Sequence, residues 1–383
     1  MGTTRSGIPG LSQKPIESGP ANARYTCTRL RVRGTRLLTG PDYQRMLEMS
    51  IPQIARFIGE HGYGEEIHTL AGSRAAIDII ETALAKNLGA SYQSVRSLTS
   101  GSLLLLTDWY LHRWDIVNVM TILRGKKRGL SPEKIREILV PAGDLGVSEL
   151  DYLLAADSFA EVIERLPGWQ LYPALTRECQ HPYETCSFAN LEDRLYQQYY
   201  TDLLRKCRTG VPGAGILAAT IRLEIDLTNF RNLLRLRRGT VPQDIRTRMI
   251  AGGDILPEDL QHLAGVTDRE EFIGFFRKSH LQPLLVDSYH LLYPETPDTR
   301  GKAETFISER WTEKMRPLHE MERAVTRIRL SRLEQLSKRN PFSILPVLVY
   351  LERKKYEISN IRAIVRGLED EIPSAKIQQF LVL

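Results

Sequence analysis

Few residues in this chain have types and spacing suited to chemistry. The stretch "CQHPYETC" holds Cys179, His181 and Cys186, with Cys207 further on. Paired zinc ligands usually stand about two to four residues apart. This cluster is looser and lacks a second tight pair, so it reads as ordinary thiols rather than a metal site. "GVPGAG" at Gly210–Gly215 lacks the Lys-Ser/Thr of a phosphate loop, and "RGKKRG" lacks the upstream glycine. Both read as connections between helices. The eight histidines are scattered, and no Ser/His/Asp arrangement stands out. The residue types therefore point to no catalytic centre, no cofactor and no metal.

What does recur is a helix. "DIVNVMTILRG" begins at Asp115, "DLTNFRNLLRL" at Asp226 and "EISNIRAIVRG" at Glu357. Each carries an acid, an asparagine three residues on (Asn118, Asn229, Asn360) and an arginine nine residues on (Arg124, Arg235, Arg366). Asparagine competes for backbone groups and is a mediocre residue inside a helix. Three copies at one register imply a fixed task, a hydrogen bond to a neighbouring loop or helix end. A ring of asparagines facing a partner is the alternative. At about 100° per residue the acid and the arginine lie on opposite faces, so they cannot pair with each other. The arginine suits a helix carboxyl terminus, with contact to an acidic partner helix as the alternative.

The elements around these helices repeat as well. Helical segments around Glu81, Glu192 and Glu322 precede the three acids by 34, 34 and 35 residues. Downstream, Ser131–Leu154 matches Val241–Ala264, and the first two units repeat at 110 to 111 residues. Gly125, Gly129 and Gly239 fall where glycines end helices. Leu105, Trp109, Ile116, Met120 and Leu123 follow helical spacing, which predicts one continuous apolar face. The third unit stops early, and its missing half resembles the segment from Leu38. The expected fold is all-α, with three pseudo-equivalent helical subdomains in a funnel-shaped, pseudo-threefold body. The expected units are a flexible tail over 1–22, a composite of 23–72 with 301–383, then 73–178 and 179–300.

Composition narrows the partners. The chain has 383 residues, 42% of them hydrophobic, and 52 Lys and Arg against 46 Asp and Glu. The excess of six positive charges suits an acidic partner. No run of 18 apolar residues is present, so a membrane role must be peripheral or through a partner. The stretch "RAVTRIRLSRL", with Arg323, Arg327, Arg329 and Arg332, reads as a solvated basic face. It lacks the aromatic interleaving of a nucleic-acid surface. Four cysteines without a secretory leader suggest a reduced chain.

Three segments carry a resemblance: "YLHRWDIVNVMTILRGKKRG", "EIDLTNFRNLLRLRRG" and "NPFSILPVLVYLERKKYEISNIRAIVRG". They are similar to segments of the C subunits of A-type ATP synthases, the family that includes the d subunits of eukaryotic vacuolar ATPases. The likeness runs from about Tyr25 over nearly the whole chain. It departs at "YTCTRLRVR", where Arg29 takes the place of an asparagine. The resemblance implies a non-catalytic, three-lobed rotor component without cofactor, peripheral on the cytoplasmic face of the membrane. Its implied partners are the central-stalk subunits D and F and the proteolipid ring, with a role in ATP synthesis and ion transport. The alternatives are a helical repeat scaffold, a nucleic-acid-binding protein, or an enzyme using the Cys/His cluster.

Overall fold

A computed structural model describes residues 20–70, 75–179, 186–238, 248–266, 268, 271, 274, 275, 278 and 318–382. Among them the regular structure is entirely helical. The chain opens with α1 (Pro20–Gly34), α2 (Gly40–Met46), α3 (Ile51–Ile58) and α4 (Gly64–Leu70), then the long α5 (Ala76–Leu98). It continues through α6 (Gly101–Leu111), α7 (Arg113–Lys127), α8 (Pro132–Arg136), α9 (Val147–Leu154), α10 (Phe159–Glu164) and α11 (Tyr172–Glu178). Long helices α12 (Phe188–Lys206) and α13 (Ala214–Arg238) follow, then α14 (Pro257–Gly265), α15 (Leu318–Arg339), α16 (Leu345–Glu369) and α17 (Ser374–Gln378). The segment read as a tail lies outside the described residues up to residue 19, and α1 already begins at Pro20.

Local chemistry starts these helices. Pro41, Pro52, Pro132, Pro173, Pro257 and Pro346 each stand in a first turn, where the missing N–H is no loss. Ser131, Ser158 and Ser187 accept hydrogen bonds from the amides of Lys134, Glu161 and Asn190, satisfying exposed donors of α8, α10 and α12.

The long helices pack in a closed cycle. Helix α5 leads through α6 to α7, which packs on α12. Helix α12 packs on α13, α13 on α15, α15 on α16, and α16 returns to α5. Helix α1 lies along α16, and α2 and α3 also touch α16, so both ends of the sequence meet on one helix. The Cys27 thiol of α1 donates to the Ser343 carbonyl, and Arg31 reaches the carbonyls of Ser337 and Pro341. One apolar core runs through α1–α13 and α16. A second joins Phe230 and Leu233 of α13 to Leu260 and Leu263 of α14 and Ile328 of α15.

Two expectations need correction. The apolar face from Leu105 to Leu123 is not one helix: the chain breaks at His112 between α6 and α7. Leu105 is 39% exposed, whereas Trp109, Ile116, Met120 and Leu123 are buried. Nor does Gly125 end its helix. It sits inside α7, where a Cβ would collide with the Ile135 side chain, so glycine is required for close approach of α8. Gly129 is the terminator: with φ +66 it lets Leu130 N–H reach Gly125 O at 3.0 Å and its own N–H reach Lys126 O at 3.0 Å. Gly239 lies outside the described residues.

The same device closes α16. Gly367 is crowded by Ile377, and Ile372 N–H donates to Gly367 O at 2.7 Å. Here the left-handed position is Glu371, φ 53, among the described residues the single non-glycine there. A side chain in that conformation costs roughly 1 kcal/mol. Glu371→Gly is therefore expected to raise stability by about 0.5–1 kcal/mol in a denaturant titration. A loss of stability would show that the glutamate side chain matters more than the backbone strain.

Candidate functional site

Each copy of the repeated helix uses its acid and asparagine to hold a loop. Asp115 accepts the N–H groups of Asp144 and Leu145, both at 3.0 Å. Asp226 accepts those of Asp254 at 2.9 Å and Ile255 at 3.1 Å. A Cβ at Gly143 or Gly253 would overlap these carboxylates, which explains the Gly-Asp pair in both loops. In the third copy the longer Glu357 accepts a single backbone N–H, that of Leu38 at 2.7 Å, from the other end of the sequence. Its second oxygen takes the Tyr63 hydroxyl at 2.6 Å and the Lys354 ammonium at 2.7 Å. Burial pushes the Asp115 carboxyl up to about 6, against the pull of the Leu145 and Asp144 N–H groups.

The asparagines stand three residues on, on the same face. Asn118 Nδ2 donates to Val140 O at 2.7 Å, and Val140 N–H returns to Oδ1 at 2.9 Å. Asn229 makes the same pair with Ile250, both at 2.8 Å, and Asn360 with Val382 at 2.8 and 2.9 Å. Each amide thus stands in for a strand partner of one loop residue. The arginines turn elsewhere. Arg124 pairs with Glu192 on α12, and Arg366 pairs with Glu81 on α5 at 2.6 Å, where Arg362 also lands at 2.6 Å. These guanidiniums join one copy to the next copy's leading helix, not to the carbonyls of their own helix end. The Arg235 side chain lies outside the described residues.

The opposite face of the repeated helices borders a cavity of about 920 Å³. Two residues before each acid stands an ionisable group, Arg113, Glu224 or Lys355, and all three line it. About 200° separates these positions from the acids, which is the far side of the helix. Sequence reasoning passed over this register, although a charge stands there in every copy. Glu224 is the hub. Arg113 contacts its two oxygens at 2.7 and 3.3 Å, Arg329 reaches it at 2.7 Å, and the Tyr200 hydroxyl donates at 3.1 Å. Arg329 also pairs with Glu352, which takes the Tyr110 hydroxyl at 2.7 Å. Burial opposes ionisation of Glu224, but Arg113 and then Arg329 hold its carboxyl far below the usual range. Arg329 is thus no part of a solvated basic face: buried carboxylates on α13 and α16 draw it inward.

The cysteines also need correction. Cys179 and Cys186 are joined as a disulfide, not separate thiols, with Cα atoms 5.1 Å apart, inside the range a disulfide spans. His181 lies outside the described residues. Cys27 and Cys207 are free, and burial pushes each thiol up to about 11. Arg29 is exposed and contacts Tyr25, four residues back, through the hydroxyl and the ring face.

Two measurements probe this arrangement. Asn118→Ala would strand a buried N–H and a buried C=O of Val140. It is expected to cost about 3 kcal/mol in denaturant stability, and a cost below about 1 kcal/mol would show that water replaces the amide. The second concerns Tyr356, beside Lys355 on the cavity wall. Burial alone raises a phenol, but Arg329 and Lys355 outweigh it and bring Tyr356 down to about 8. A lowered phenol favours the folded state fully above its ordinary value of about 10 and loses that contribution as pH falls through about 8. An ultraviolet titration is expected to show one tyrosine ionising near pH 8, absent in Tyr356→Phe; no phenol titrating below pH 9 in the intact chain would refute it.

The ATP synthase (C/AC39) subunit family matches residues 26–380. The chain is 32% identical over 380 residues to the A-type ATP synthase C subunit of Methanosarcina mazei, covering 98% of this chain and 97% of the relative. It is 31% identical over 371 residues to the protein of that name in Halobacterium salinarum, covering 96% and 99%. In Methanococcoides burtonii the identity is 29% over 364 residues, 95% of each chain. With the match spanning nearly every element of the helical cycle, the chain belongs to the ATP synthase (C/AC39) subunit family.

Proposed function

We propose that this chain is a non-catalytic subunit of an A-type ATP synthase that couples rotation between a membrane ring and a central stalk. The observation that carries the reading is the cavity lined from all three copies of the repeated helix, inside a closed cycle of long helices. Such a cavity is a socket. In this role the end of the stalk, built from subunits D and F, enters it, and the opposite end of the body rests on the proteolipid ring. The three units form a funnel, with one lobe assembled from 23–72 and 301–383; the Glu357–Leu38 hydrogen bond supports that composite lobe. The protein works peripherally on the cytoplasmic face. Among the described residues no helix is long and apolar enough to cross a membrane.

Torque needs a stiff body, and dense helix packing provides one. The paired loops add to it, because each repeated helix is tied to its loop through an acid and an amide. The test is functional. A complex assembled without this chain is expected to hydrolyse ATP while moving no ions. Normal ion transport per ATP in its absence would overturn the coupling role.

A further inference from the structure

We propose that the cavity is built to grip carboxylates, so that the segment it receives is a helix end rich in Asp and Glu; this rests on reading the cavity as the stalk socket. Six basic and three acidic residues line it. Glu224 is consumed by Arg113 and Arg329 and Glu192 by Arg124, Asp193 has a partner of its own, and Arg362 is held by Glu81. Arg231, Arg248 and Lys355 form no ion pair among the described residues, and the Arg231 Nε is buried without a hydrogen-bond partner. Burial lowers the Lys355 ammonium from its ordinary value, against the pull of the neighbouring Tyr356. Arg231 and Arg362 stand at one register of the repeat, five residues after their acids. Three cations without an ion-pair partner among the described residues face one cavity, an arrangement that is costly unless an anion joins them.

The shape and the rest of the lining favour a protein helix over other anions. About 920 Å³ equals the volume of about two turns of a helix roughly 10 Å across and is too small for a turn of nucleic-acid duplex. Val117, Leu227, Ile250 and Val325 stand beside the cations, matching an amphipathic segment that brings apolar side chains together with its acids. A phosphate headgroup shares the charge but not that apolar complement, and an unpaired oligonucleotide would bring flat stacking bases rather than side chains that match these aliphatic groups.

The experiment uses the full chain and two probes. One is the purified complex of stalk subunits D and F from the same organism. The other is a labelled helical peptide ending in Glu-rich turns, with a Lys-rich peptide of equal length as its counterpart. Substituting Arg231→Gln, Arg248→Gln and Lys355→Gln together is expected to weaken both the stalk complex and the acidic peptide about tenfold or more. Moderate salt is expected to weaken the unaltered chain in the same direction. The pair Arg231→Lys and Arg248→Lys keeps the charge and is expected to retain binding, and the salt series needs no variant if the triple substitution fails to fold. Stalk binding that ignores both charge and salt would overturn the carboxylate grip and leave the rotor reading standing. No stalk binding by the folded chain would overturn the rotor reading, and the peptide series then decides the grip alone. Equal affinity for the Lys-rich peptide, or displacement of the acidic peptide by an unpaired oligonucleotide at equal concentration, would overturn the assignment to an acidic helix.

Discussion

The structure depends on one buried carboxylate. Glu224 of α13 lies between Arg113 of α7 and Arg329 of α15, and Arg329 passes the connection to Glu352 of α16. Charges this deep carry a large desolvation cost, tolerable only when every group is paired and hydrogen-bonded. Here the remaining lone pairs take the hydroxyls of Tyr200 and Tyr110, and the Arg113 guanidinium stacks 3.8 Å over the Tyr110 ring. The benefit of such a network is specificity of arrangement more than net stability. Helices from all three copies must arrive together, because any one missing leaves the others with an unpaired charge. An apolar centre would tolerate rotation or sliding of a wall; this one does not.

The repeated helix can serve this centre because it has two faces with separate duties. Its acid and asparagine, three residues apart, look outward to a loop and hold it through backbone groups. Its inward face carries the ionisable residue two positions before the acid. Helical geometry enforces the separation, since two residues turn the helix by about 200°. The outward asparagine pair is the same in each copy and each acid takes at least one backbone N–H, but the inward residues are Arg, Glu and Lys. The scaffold is therefore repeated while its centre is unequal. Equal charges at that register would repel across the cavity; one carboxylate among cations lets two walls bind and leaves the third cation uncommitted.

Much of this was legible in the residues. Asn118, Asn229 and Asn360 announced a repeated hydrogen-bonding task because asparagine is out of place inside a helix, and the joining of Glu357 to Leu38 follows a likeness visible between the two ends of the sequence. What escaped notice depended on long-range burial. Arg329 sits among three other arginines, so its stretch read as solvated; only the carboxylates arriving from α13 and α16 make it a core residue. Gly125 and Gly129 look alike in sequence, yet one admits Ile135 and the other takes a left-handed backbone. The break at His112 hid inside an unbroken helical spacing, because the apolar period survives a change of axis. Cys179 and Cys186 had the right types but no spacing rule that foretells their approach. The inward register was overlooked for a different reason: three unlike residues do not look like a repeat until the geometry shows that they share a place.

That inequality bears on the proposed role. A socket with three identical walls would give a seated stalk three equivalent orientations, and a stalk free to step between them would slip under load. Arg113, Glu224 and Lys355 remove that equivalence, since a carboxylate presented near Lys355 and Arg231 finds cations there and a spent, arginine-locked Glu224 one wall away. In that proposed role, charge would set the orientation and the apolar side chains between the charges would set depth and fit. The outer ion pairs, Arg124–Glu192 and Arg366–Glu81, lie half in solvent and each contributes little to stability. Stiffness must come instead from the packed helix pairs and the buried centre. In the proposed role, a body that resists twisting while holding a stalk in a single orientation needs its repeat to be regular outside and irregular inside.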